Sequence, residues 1–219
     1  MIYTARDLGQ NREDDGAIVD TPYKYPLKSI CRLYSNSDLQ PAIGTGVVIS
    51  HHHILTAGHV AEKADQWIVD QCYHDGHNLP QCIGRTHEIH PSYREHSDLN
   101  FDVGIIGVRE SLPFPLPPTR WQPAFKDRSV YVCGYSFLDF YHMRFHEGEI
   151  LEIRENLAAH SCDTYAGQSG SPVIHGGKST SLFLGLHVGG NEYGSDRFRR
   201  ISNKCILFTD AIVRWIEDA

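Results

Sequence analysis

Three short segments carry residue types that could act together. Leu55-Thr56-Ala57-Gly58-His59-Val60 sets a histidine behind a strand-like stretch, at the opening of a short helix. Asn100-Phe101-Asp102-Val103-Gly104-Ile105-Ile106 leads an acid into a buried strand. Ala166-Gly167-Gln168-Ser169-Gly170-Ser171-Pro172 flanks a serine with glycines ahead of another strand. A serine hydroxyl is a weak nucleophile near neutral pH. It needs a base within hydrogen-bond reach, and the base needs an orienting acid. His59 is suited to take the proton of Ser169, and Asp102 to fix the tautomer of His59 and stabilise its imidazolium. Glycines beside Ser169 permit a tight turn that aims N–H groups at a developing oxyanion, with Gly167 and Ser169 as the expected donors. Asp98, in the polar run Ser97-Asp98-Leu99-Asn100, reads as a turn residue instead of the acid. Ser171 precedes Pro172 and lacks the glycine setting of Ser169.

The elements that must position these groups are mostly strands. Glycine (19) and proline (11) are too frequent for a helical bundle. Short apolar runs bounded by turn residues predict strands over 43–50, 53–57, 101–108, 129–134, 148–153, 172–174 and 182–188. Such frequent short strands point to a sandwich or barrels. Ser111-Leu112-Pro113-Phe114-Pro115-Leu116-Pro117-Pro118 reads as an extended linker between two halves. The expected division is a polar arm or pro-segment over 1–20, a first half over 21–115 with His59 and Asp102, and a second over 116–219 with Ser169. Phe208, Ile212, Trp215 and Ile216 share one face at helical spacing, so the chain should close on a helix, capped by Thr209 or Asp210.

Composition narrows the function classes. With 41% hydrophobic and 21% charged residues the chain reads as an ordinary globular protein. A net charge of −7 argues against nucleic-acid binding, which needs a basic surface. No apolar stretch is long enough to span a membrane. The first 20 residues lack the apolar core of a secretory signal, which predicts a cytoplasmic protein if Met1 is the native start and a secreted one if a signal was removed. Six cysteines, Cys31, Cys72, Cys82, Cys133, Cys162 and Cys205, are then expected mainly as reduced thiols. Cys72, His74, His77 and Cys82 resemble a zinc cluster by type, but their spacing is too compressed for common structural sites. A surface loop is the expectation, with a Cys72–Cys82 disulfide as the alternative. His51-His52-His53 opens a predicted strand, where neighbours alternate faces, so at most two could share a ligand. No metal and no cofactor is expected.

In these segments the chain resembles the chymotrypsin-like (trypsin-like) serine peptidases. The resemblance rests on Thr56-Ala57-Gly58-His59, on His90-Pro91-Ser92-Tyr93 ahead of Phe101-Asp102-Val103-Gly104, and on Gly167-Gln168-Ser169-Gly170-Ser171-Pro172. It implies an all-β fold of two antiparallel six-stranded β-barrels with a C-terminal helix, the site lying between the barrels. It also implies a serine endopeptidase acting on a polypeptide substrate through an acyl-enzyme. The bacterial glutamyl endopeptidases look most similar, through Val19-Asp20-Thr21-Pro22-Tyr23, Gly134-Tyr135, Met143, Gly148-Glu149-Ile150 and Gly185-Leu186-His187-Val188-Gly189-Gly190. That branch implies that Thr164 and His187 contact an acidic side chain on the acyl side of the cleaved bond. Val188 stands where the branch has tryptophan, and Val60 and Tyr165 where many members of the wider family have cysteine. The usual disulfides are thereby absent, which leaves room for an activating partner or a processing protease. The alternative from another class is a catalytically silent homologue serving as a binding or sensing module.

Overall fold

The computed structural model describes residues 17–19, 24–35, 43–73, 79–122, 128–176, 181–190 and 202–219. Most of the expected N-terminal arm, the stretch 20–23 and the two histidines His74 and His77 lie outside them.

Six antiparallel strands close the first barrel: β2 (Ile30–Tyr34), β3 (Ile43–Val48), β4 (His53–Thr56), β5 (Gln66–Gln71), β6 (Cys82–Ile89) and β7 (Gly104–Val108), in the order β2-β3-β4-β7-β6-β5. The second is built from β8 (Ser129–Gly134), β9 (Arg144–Arg154), β10 (Leu157–His160), β11 (Pro172–His175), β12 (Leu182–Gly189) and β13 (Asn203–Leu207). Its ring runs β8-β9-β10-β13-β12-β11 and closes between β11 and β8. A two-residue strand, β1 (Ala17–Ile18), lies on the edge of β9, and the Val19 amide donates to Met143 O at 2.9 Å. Both faces of several strands are covered, one by the barrel's own interior and the other by neighbouring elements. Leu33, Val47, Ile54, Leu55, Trp67 and Ile106 are fully buried in the first barrel, and Val132, Val173, Phe183 and Ile206 in the second.

The proline-rich segment is a strap, with both ends tied to barrels. Leu112 N donates to His51 O and Leu116 N to Val48 O in the first barrel; Thr119 N donates to Phe183 O and Trp121 N to Phe208 O in the second. The closing helix, α3 (Asp210–Asp218), packs on the first barrel, with Trp215 Nε1 donating to Glu88 Oε1 at 3.3 Å. Phe208 is not on this helix as its spacing suggested. It is buried just before it, edge-on to Phe183 at 4.8 Å. Thr209 sits at the N-cap position without capping, because its hydroxyl donates to Asn156 Oδ1 at 2.7 Å.

Polar ties join the barrels. Arg32, paired with Asp70 through Nε and Nη2, also donates from Nη1 to Phe140 O at 2.9 Å, and its guanidinium lies 3.3 Å above the Tyr73 ring centre. Tyr135 Oη donates to Tyr73 O at 2.8 Å. The Arg32–Asp70 pair itself lies within the first barrel, between β2 and β5, while the bonds to Phe140 O and from Tyr135 Oη cross between the halves. All six cysteines are buried free thiols, which overturns the alternative of a Cys72–Cys82 disulfide. Burial pushes Cys72 up to about 12 and Cys82 up to about 11.

Candidate active site

The histidine sits where β4 gives way to the single-turn helix α1 (Gly58–Ala61). Beyond the short helix α2 (Pro91–His96), Asp102 follows a 3-10 turn over Leu99–Phe101, which Asp98 caps by accepting from Asn100 N at 3.0 Å. Asp98 is therefore the turn residue. Asp102 is fully buried and turns both oxygens to His59: Oδ1 accepts from His59 N and Oδ2 meets His59 Nδ1, each at 2.7 Å. A carboxylate only accepts, so this contact puts the ring proton on Nδ1 and leaves Nε2 as the basic nitrogen. The approach needs a glycine before the histidine. A Cβ at Gly58 would stand 2.9 Å from Asp102 Oδ1 and from Tyr93 Cδ1.

The second barrel brings the serine loop against the same strand ends. Thr45 N of β3 donates to Ser169 O at 2.9 Å, and Thr45 Oγ1 donates to Gly167 O at 3.2 Å while accepting from Tyr135 N at 3.0 Å. Gly170, at φ +87°, lies so close to Thr45 O and Thr56 Oγ1 that any side chain there would overlap both. Ser169 is thus held beside the residues that lead into His59. It is half-buried, whereas Ser171 is fully buried and unsuited to meet a substrate.

The loop's amides divide into two sets. Gln168 N donates to Tyr165 O, Gly170 N to His187 O and Ser171 N to Gln168 O. Among the described residues, Gly167 N and Ser169 N have no backbone acceptor. Gly167 adopts φ +99°, a conformation glycine tolerates and other residues resist. Gln168, which the sequence reading had not singled out, is fully buried and accepts from Tyr165 N through Oε1 at 2.7 Å. No sequence signal marks it beyond its place next to the serine.

Behind the loop, β12 carries His187, 2% exposed, and Thr164 lies 7% exposed on the way from β10 to the serine. His187 Nδ1 meets Nε2 of the buried His160 at 3.1 Å. His160 was also not foreseen, since 27 residues separate it from His187 and only the strand order β10-β13-β12 joins them. Burial holds the His187 pKa well below the usual histidine value, with His160, His59 and His146 adding to the effect. Burial likewise pushes His160 down to about 3. Both rings are neutral near neutral pH.

Residues 44–179 match the family model described as a trypsin-like peptidase domain. The chain belongs to the trypsin-like peptidase family. Its fold, two six-stranded barrels with a C-terminal helix, is the chymotrypsin fold. It is similar to that of a Glu endopeptidase solved in complex with MPD, with a TM-score of 0.78 and 19% identity over 94% of this chain and 96% of that one. No curated protein matches the sequence.

Proposed function

We propose that this trypsin-like peptidase-family protein is a serine endopeptidase using His59, Asp102 and Ser169. The observation that carries the reading is the pair of hydrogen bonds that His59 donates to Asp102, set beside a glycine-flanked serine loop with two amides left over. Ser169 Oγ attacks the peptide carbonyl carbon as its proton passes to His59 Nε2. The carbonyl electron pair moves to oxygen, and the amides of Gly167 and Ser169 receive that charge. Collapse expels the amine, which takes the proton from His59. Water, deprotonated by His59, then cleaves the ester and frees Ser169. Asp102 keeps the imidazole oriented and offsets its charge.

The test is a serine-reactive fluorophosphonate followed by intact-mass analysis. One adduct on Ser169, lost in Ser169→Ala and in His59→Ala, is the expected result. A folded protein that forms no adduct and cleaves no peptide would belong with the silent homologues.

The proposed substrate has a glutamate or aspartate on the acyl side of the cleaved bond. What supports this is the buried, neutral His187 hydrogen-bonded to His160, with Thr164 as a second donor. An ionised carboxylate entering a dry pocket must find donors. A carboxylate next to His187 also favours its protonated form, against the burial that opposes it.

A further inference from the structure

On the outer face of the first barrel a cavity of about 640 Å³ opens beside the histidine run at the start of β4. Three adjacent strands make its floor in register: His53 of β4 lies opposite Gly107 of β7, and Gly107 opposite Arg85 of β6. Opposed residues share a face of the sheet, so all three positions look outward. Gly107 has no side chain, which leaves a trough in the middle of the row. His87, the extra residue of a bulge between Thr86 and Glu88, lies over Gly107, its Cβ 3.6 Å from where a Gly107 Cβ would stand. The rings of His53 and His87 stack with centres 5.6 Å apart and planes at 29°. His52, Arg109 and Glu110 complete the polar rim.

The two arginines on the lining outnumber its one glutamate. Arg85 and Arg109 have no carboxylate partner among the described residues, and Glu110 is the one acid on the lining. His53 Nδ1 contacts Ser50 Oγ at 3.2 Å, and His87 Nε2 contacts an oxygen of Ala219, the last residue of the sequence, at 3.3 Å. Burial first, then the neighbouring His87 and His52, hold His53 below the ordinary histidine pKa. Crowded groups of like sign in a concave site focus their field on an incoming anion, even in a chain whose net charge is −7.

We infer that this trough binds an oxyanion of the phosphate class, free or as a phosphomonoester, through Arg85, Arg109 and the His53–His87 pair. Two guanidinium forks and two imidazole N–H groups supply more donors than a carboxylate can accept, whereas a phosphate dianion can take them all. The trough is wider than one phosphate, so the rest of an ester has room. The site does not depend on the proposed peptidase chemistry.

The test follows the histidine ring signals of the full chain by NMR during titration with inorganic phosphate, and separately with phosphoserine, against sodium chloride of equal ionic strength. Saturable shifts of His53 and His87 are expected. Affinity should fall about tenfold in Arg85→Ala and in Arg109→Ala, the usual scale for losing a charged hydrogen bond. Gly107→Val should block binding by filling the floor. Tighter binding of phosphoserine assigns the site to an ester, and equal binding to the free ion. Shifts that never saturate, that chloride reproduces, or that survive both arginine substitutions would overturn the inference.

Discussion

Replacing Gly58 by alanine tests whether the His59–Asp102 geometry does the work assigned to it. The new Cβ would lie 2.9 Å from Asp102 Oδ1, 2.9 Å from Tyr93 Cδ1 and 3.1 Å from Val103 N. Ordinary contact is about 0.5 Å longer, so either the carboxylate or the α1 turn must move by that order. Two opposing terms act on stability. Alanine is better than glycine inside a helix by about 1 kcal/mol. Overpacking a dense interior costs about 1–3 kcal/mol. The net loss is therefore at most about 2 kcal/mol, and the protein should stay folded. Activity is more sensitive, since a misplacement of about 1 Å can cost about 10²-fold. Half of that displacement predicts a fall of about tenfold in kcat, with KM little changed because the peptide contacts are untouched. The assay is peptide hydrolysis alongside the rate of fluorophosphonate labelling, both on protein shown by its thermal transition to be folded. Equal slowing of the two is expected. Wild-type rates in both would refute the argument that this glycine exists to admit the Asp102 carboxylate.

His187→Ala should lower kcat/KM for peptides with glutamate on the acyl side far more than it slows labelling by a fluorophosphonate lacking a carboxylate; a peptide library cleaved after Lys or large apolar residues instead would remove the acidic pocket. Buried neutral histidines also predict how stability responds to acid. The unfolded chain binds a proton at His160 below about 6.5, while the folded chain resists until about 3. Stability should therefore be insensitive to this group above about 6.5 and fall as the pH drops toward 3, by up to about 1.4 kcal/mol per pH unit for one histidine. His187 acts in the same direction. Urea midpoints across this range should flatten in His160→Gln, and an unchanged acid limb would contradict the assignment. Finally, the six buried thiols should react slowly with a disulfide reagent in the native protein and all react once it is denatured, with reductant leaving Tm unchanged. A drop in Tm on reduction would show a crosslink that the structure lacks.

Features governed by local rules could be read from the chain alone. The strands β3, β4, β7, β8, β11 and β12 and the helix α3 follow from runs of Val, Ile and Leu, from turn residues and from helical spacing. The segments around His59, Asp102 and Ser169 were legible because each of these residues stands in a distinctive local setting of glycines and strand-forming residues. Other elements were hidden because their burial is long-range. In β2 and β5 the interior charges of Arg32 and Asp70 interrupt the pattern, and each is tolerable only because barrel closure supplies the other 38 residues away. In β6, Arg85, His87 and Glu88 mask the strand until β5 and β7 take its backbone groups. Lys204, 1% exposed in β13, satisfies its ammonium with Ser202, which no composition rule would suggest. Only the tertiary structure decided that His160 backs His187, that Thr45 of one barrel holds the serine loop of the other, and that Gly107 leaves a trough between His53 and Arg85. The physical reason is common to all three. A side chain's character is fixed by its own residue type, but its partner across a sheet or between barrels is set by register and closure, which no single segment encodes.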